Sequence, residues 1–236
     1  MRWVLLAVVP KWLKAILALL LLPVCVGAAV ATWRVMSLSG GADITWAPMA
    51  AGAACWLFIF LMLPKPMWLY VLGHELTHAV WTWLFGGRVR QMKVTSRGGH
   101  VLITRDNFLI TLAPYFFPFY AVLVILGFLL GHWLGGWSGV WYRAGFHLLL
   151  GAAYAFHLTL TWYILQDRQP DITSQGWFFS VVIIFLGNTL VLLLGVPLLA
   201  GEIPVITALE WWRDETFGLL QQIKDSARHW LGRIRS

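Results

Sequence analysis

The stretch MWLYVLGHELTHAVWTWLF, residues 67–85, decides how this chain is read, because it sets His74, Glu75 and His78 inside an otherwise apolar run. The run has helical length and no internal proline, which argues for a helix from Met67 to Phe85. Pro64-Lys65-Pro66 breaks the chain before it, since proline drives its predecessor out of helical geometry. Gly86-Gly87 supplies the stop. Glu75 is the only glutamate in the first 201 residues. An ionised group at the centre of a bilayer costs about 2.5–3.5 kcal/mol even on the lenient insertion scale, so such a residue is kept for function or is firmly paired.

Working outward, the rest of the chain has the composition of a membrane protein. Of 236 residues, 60% are hydrophobic and 11% charged, against about a quarter charged in soluble domains. Many of the 16 tryptophans sit near the ends of apolar runs, where indole favours the membrane interface. The net charge of +7 comes from basic clusters between apolar segments. That pattern suits anionic headgroups and orientation in a bilayer, and it argues against nucleic acid as a partner. Cys25 and Cys55 lie in apolar runs and read as free thiols. Lys11 and Lys14 precede an apolar run with a signal-peptidase-like Ala29-Val30-Ala31, but apolar character continues to Trp33. An uncleaved signal-anchor is the expectation.

The predicted fold is an all-α polytopic membrane protein of about six spans. These are Trp12 to Trp33, Pro48 to Leu63, Met67 to Phe85, Phe108 to Leu130 (softened by Pro114 and Pro118), Arg143 to Leu165, and Trp177 to Leu199. Between the third and fourth, Val89 to Ser96 and His100 to Thr104 flank Gly98-Gly99, a β-hairpin signal. Residues 1–200 form one transmembrane domain on this reading. Residues 201–236 form a tail whose part from Ile203 reads as an amphipathic helix on the membrane surface. One conflict follows. Six spans put Arg2, Lys11 and Lys14 on the opposite side from Arg88, Arg90, Lys93, Arg97 and Arg105, whereas basic segments prefer the same, cytoplasmic side.

Two histidines four apart on a helix differ by about 40° in azimuth and about 6 Å in rise, so His74 and His78 can bind one tetrahedral Zn²⁺. Glu75 can reach a water at that metal without ligating it. Zinc lowers the pKa of such a water to about 7, and a neighbouring carboxylate can take its proton. An interhelical polar network without metal is the plainer alternative; spacing and burial together favour the metal. A third ligand is needed. Asp171 ranks first, because the expected topology returns the end of the fifth helix to the side where the third ends and Pro170 fixes the chain. Asp167 comes second and His157 third. Asp43 and Asp106 read as solvated loop residues, and His147 or Asn188 is a candidate for stabilising an oxyanion.

These residues resemble the site-2 protease family of intramembrane zinc metalloproteases. The resemblance rests on His74, Glu75 and His78 in a membrane helix, the polar hairpin-like segment after it, a helix opening Leu112-Ala113-Pro114, and a later aspartate. It covers about Met67 to Phe179. It implies zinc ligands His74, His78 and Asp171, with Glu75 as base, and a membrane-protein substrate cut in or near a transmembrane segment. It also implies a multi-pass protein of the bacterial inner membrane. Gln169-Pro170-Asp171-Ile172 departs from the family's usual Asn-Pro stretch ending in Asp-Gly, which marks a divergent branch. A zinc-stabilised scaffold or chaperone without catalysis, and a metal transporter, are the rival readings. A base beside the metal favours the enzyme.

Overall fold

The computed structural model describes residues 9–40 and 43–235; Arg2, part of the charge argument above, lies outside them. Among the described residues the chain is mostly helical, with one two-stranded hairpin. It divides into two compact units.

The first unit runs from Asp43 to Gln175. It opens with the chain's second helix. In chain order the elements are α1 Lys11–Leu38, α2 Asp43–Met62 and α3 Met67–Leu84, then strands β1 Val89–Thr95 and β2 Gly98–Ile103. After them come α4 Phe108–Leu112, α5 Phe119–Gly135, α6 Val140–Leu165, α7 Pro170–Gln175, α8 Trp177–Ala200 and α9 Val205–Arg235. Helices α2 and α6 pack so closely that a Cβ on Gly52 would collide with the Leu148 carbonyl, and one on Gly151 with the Met49 carbonyl. Small residues allow this approach, the usual device between apolar helices. Trp56 Nε1 donates to Thr159 Oγ1 at 2.8 Å across the same pair. Trp56, Phe156 and Leu160 then form a buried cluster with Tyr70 and Val71 of α3. The motif helix is thereby seated on the α2–α6 pair.

Helix α3 ends where the glycines predicted. Gly86 adopts φ +70°, Gly87 N donates to Thr82 O at 2.8 Å, and Arg105 Nη1 caps the Phe85 carbonyl at 2.7 Å. The hairpin is antiparallel, but its turn falls at Ser96-Arg97, not at Gly98-Gly99 as predicted. Thr95 pairs with Gly98 and Val94 with Gly99, so both glycines belong to β2. Thr95 Oγ1 closes the turn by donating to Gly98 O at 2.6 Å. The fourth expected span is also broken. Helix α4 passes into a 3-10 turn at Ala113–Tyr115, and α5 leaves at 80° to it. Pro114 and Pro118 remove the backbone donors that would have continued the helix.

The second unit joins α1, α8 and α9. Thr32 Oγ1 of α1 donates to Thr189 O of α8 at 3.4 Å. The first half of α9 packs on α1. Trp212 Nε1 donates to Val24 O at 3.0 Å, the Arg34 guanidinium lies 4.2 Å from the Trp211 ring, and Gly27 leaves no room for a side chain beside Thr216. Residues 221–231 of α9 are exposed. Cys25 is buried and Cys55 exposed, and both are free thiols.

Among the described residues, four helices are long and apolar enough to cross a membrane: α1, α2 (from Ile44), α6 and α8. The number is five if the bent α4–α5 pair counts as one. This composition is that of a multi-pass membrane protein. The motif helix is not among the four. Its 18 residues give about 27 Å of length, and its centre is polar.

Candidate metal centre

Helix α3 presents His74 and His78 on one face, one turn apart, and α7 brings Asp171 to them. The His74 and His78 Nε2 atoms lie 3.2 Å apart. Asp171 Oδ2 lies 3.3 Å from His74 Nε2 and 3.6 Å from His78 Nε2. Zinc bonds of about 2.0–2.1 Å in a tetrahedron require ligand atoms about 3.3 Å apart. The triangle therefore has the edge lengths of a tetrahedral site.

The surrounding hydrogen bonds fix which atoms face inward. His78 Nδ1 donates to the Ile110 carbonyl at 2.9 Å, which leaves its Nε2 as the lone-pair nitrogen when the ring is neutral. Ile110 is held in turn by the Asn107 side chain, which accepts from its backbone N–H at 2.9 Å and caps α4. Tyr115, buried in the 3-10 turn, donates its hydroxyl to Asp171 Oδ2 at 3.0 Å. Gln175 Nε2 donates to Thr111 Oγ1 at 3.4 Å and ties the end of α7 to α4. Burial pushes the Asp171 carboxyl upward, but protons on the facing His74 and His78 nitrogens outweigh it and hold the group below its ordinary range, and a cation at the same point would replace those protons. Lone pairs of at least one imidazole and a carboxylate thus converge on one point. The nitrogen, nitrogen and oxygen atoms at these distances form a triad able to hold a metal ion.

Glu75 lies beside the triangle and outside it. Its side chain is buried and lines a cavity of about 720 Å³. His74, His78 and Asp171 share this cavity with Gly98, Gly99 and His100 of the hairpin. Strand β2 presses on the glutamate: a Cβ on Gly99 would stand 2.8 Å from both Glu75 Cγ and Oε1, and 2.8 Å from the Lys93 carbonyl.

Of the alternative ligands weighed from sequence, Asp167 is exposed on the cavity wall and is not part of the triangle. His157 is buried in α6 beside a different, much smaller cavity. Asp106 accepts from Thr111 Oγ1 at 2.8 Å. His147 is buried on α6, and Asn188 belongs to the second unit, on α8. Tyr115 and the Ile110 carbonyl were not found from the sequence. Tyr115 directly follows the noted Leu112-Ala113-Pro114, but nothing in that tripeptide says that the next ring reaches Asp171.

Compared with known protein families, with curated proteins and with solved structures, the chain finds no match.

Proposed function

We propose that this protein is an intramembrane zinc metalloprotease, a divergent relative of the site-2 proteases, acting on membrane-protein substrates. The observation that carries the reading is the open geometry: three ligand atoms with tetrahedral spacing, whose remaining side faces a cavity that also holds Glu75. Structural zinc sites are closed by four protein ligands, while catalytic ones keep a position open. That difference disfavours a scaffold.

When bound, zinc would lower the pKa of a water at its open position to about 7 and polarise the scissile carbonyl. The chain's own residues do the rest. Glu75 accepts the water proton on a carboxylate oxygen as the C–O bond forms, then returns it to the departing amide nitrogen as the C–N bond breaks. Asp171, braced by Tyr115, and His78, braced by the Ile110 carbonyl, keep the ligand geometry fixed. The β2 strand, which lies against Glu75, offers an edge on which an unwound substrate segment can pair.

The test is to express the wild type beside a His74→Ala/His78→Ala double variant and to map newly created peptide termini in the membrane fraction by mass spectrometry. Termini within or beside transmembrane segments, present only with the wild type, are the expected result. Identical terminal profiles would overturn the protease and leave the scaffold and the transporter.

The hairpin supplies a second expected result. Gly99→Ala forces a Cβ against Glu75 and should reduce cleavage at unchanged zinc content, measured by metal analysis of the purified variant. Gly98 sits at φ +143° with open space around it, so Gly98→Ala acts on the turn and should reduce cleavage less. Equal cleavage by wild type and Gly99→Ala would show that the contact with Glu75 has no functional weight.

In this reading α3 enters the apolar layer without crossing it. Two crossings, α1 and α2, then separate Lys11 and Lys14 from the hairpin, and both basic segments fall on one side, as the positive-inside preference requires. With Cys25 and Cys55 replaced, Gly40→Cys and Ser96→Cys should react with an impermeant thiol reagent from opposite faces of the membrane. Labelling from the same face would restore α3 as a full span.

A further inference from the structure

The two imidazoles of the metal centre differ in what holds their outer nitrogens. His78 Nδ1 donates to the Ile110 carbonyl. His74 Nδ1 is buried and has no hydrogen-bond partner among the described residues. A ligating imidazole almost always donates its second N–H, because that bond fixes the tautomer and aims the ring. A buried donor left unpaired is costly. Something must therefore accept from His74.

The structure indicates where. His74 Nε2 faces His78 and Asp171, so Nδ1 points to the other side of the ring. A second cavity of about 20 Å³ is lined there by Tyr70, His74, Thr77, Tyr120, Phe156 and His157, among others, and by none of Glu75, His78 and Asp171. Space for one water needs about 10–15 Å³ by the same measure, together with two or more polar partners. Thr77 Oγ1 already donates to Gly73 O at 2.7 Å, which leaves its lone pairs for a neighbour. His157 is only 6% exposed and brings an imidazole to the same wall.

We infer that His157 is a positioning residue for His74, acting through a single water held in this cavity. The water accepts the His74 Nδ1–H and donates to the His157 ring nitrogen. His74 is thereby kept in the tautomer whose Nε2 lone pair faces the metal. The sequence made His157 a candidate ligand; here it stands behind a ligand instead. This inference rests on the metal reading of the His74, His78 and Asp171 group.

The experiment measures zinc affinity of the purified full-length protein by competition with a chromogenic chelator, for wild type, His157→Leu, His157→Gln and His78→Ala. Leu fills the space but offers no acceptor; the Gln amide oxygen can accept from the water. His157→Leu should weaken zinc binding by about 10–100-fold, the range for supporting partners of metal ligands, and His157→Gln should retain most of the affinity. A second readout is the nitrogen-15 spectrum of the histidine rings. A His74 Nδ1–H signal protected from exchange in wild type and His157→Gln, and lost in His157→Leu, is expected. Equal affinity and an unchanged His74 signal in His157→Leu would overturn the water link while leaving the metal centre standing. A folded wild type that binds zinc no better than His78→Ala would overturn the metal centre and this inference with it. If His157→Leu does not fold, His157→Met carries the same comparison.

Discussion

Glu75→Gln is expected to abolish cleavage while the protein keeps its zinc. The substitution preserves the shape of the side chain and so its contact with Gly99, but it replaces a basic carboxylate oxygen with an amide oxygen that takes no proton at neutral pH. General bases contribute about 10²–10⁴ in rate, so turnover of a membrane-protein substrate should fall by that factor or more. Zinc should stay, because Glu75 is not one of the three ligand residues. Thermal stability in detergent should hold or rise, since a buried carboxylate with no ion-pair partner among the described residues is costly to keep. Metal analysis beside a cleavage assay separates the readings. Cleavage undiminished in Glu75→Gln would remove the base from the mechanism, and zinc lost from it would make Glu75 a ligand.

Much of the path to this site was legible in the sequence because it is written in local punctuation. Helix α3 was predicted from Met67 to Phe85 and runs Met67–Leu84; α8 was predicted from Trp177 to Leu199 and runs Trp177–Ala200. Pro64, Pro66 and the Gly86-Gly87 pair set the ends of α3, and the single glycines Gly176 and Gly201 those of α8. The histidine pair and its glutamate were legible for the same reason, since one helical turn fixes their spacing. The hairpin's existence could be read but its register could not. A glycine pair tolerates a turn, yet the pairing of Thr95 with Gly98 puts the turn at Ser96-Arg97, and the close approach to Glu75 then employs Gly99 for its lack of a side chain. Pro114 and Pro118 announced a weakness in the fourth span, but its 80° bend depends on what α4 packs against. Of the six expected spans, α3 is not among the helices long and apolar enough to cross, because its centre carries polar side chains. Least legible was the choice among Asp171, Asp167 and His157, because it is a contact between residues about a hundred positions apart, set by how α7 docks on α4.

That choice leads to the second large effect: Asp171→Asn is expected to empty the metal centre, and Asp167→Asn to leave it full. Asp171 Oδ2 meets both imidazole nitrogens and the Tyr115 hydroxyl. Asparagine keeps the volume but exchanges the anionic ligand for a neutral amide, which can also turn its NH₂ toward the histidines. Loss of a supporting partner typically costs 10–100-fold in metal affinity, and loss of a ligand charge should exceed it, so zinc should weaken by more than about 100-fold on that scale. Cleavage should fall in step with zinc content, and added zinc should restore it in part. Asp167 is exposed on the cavity wall and outside the triad, and its replacement should leave chelator competition at the wild-type value. The reverse pattern, with zinc retained in Asp171→Asn and lost in Asp167→Asn, would require the segment after α6 to rearrange when the metal binds. It would move the third ligand to the exposed carboxylate and dissolve the tetrahedral triangle on which the protease reading stands.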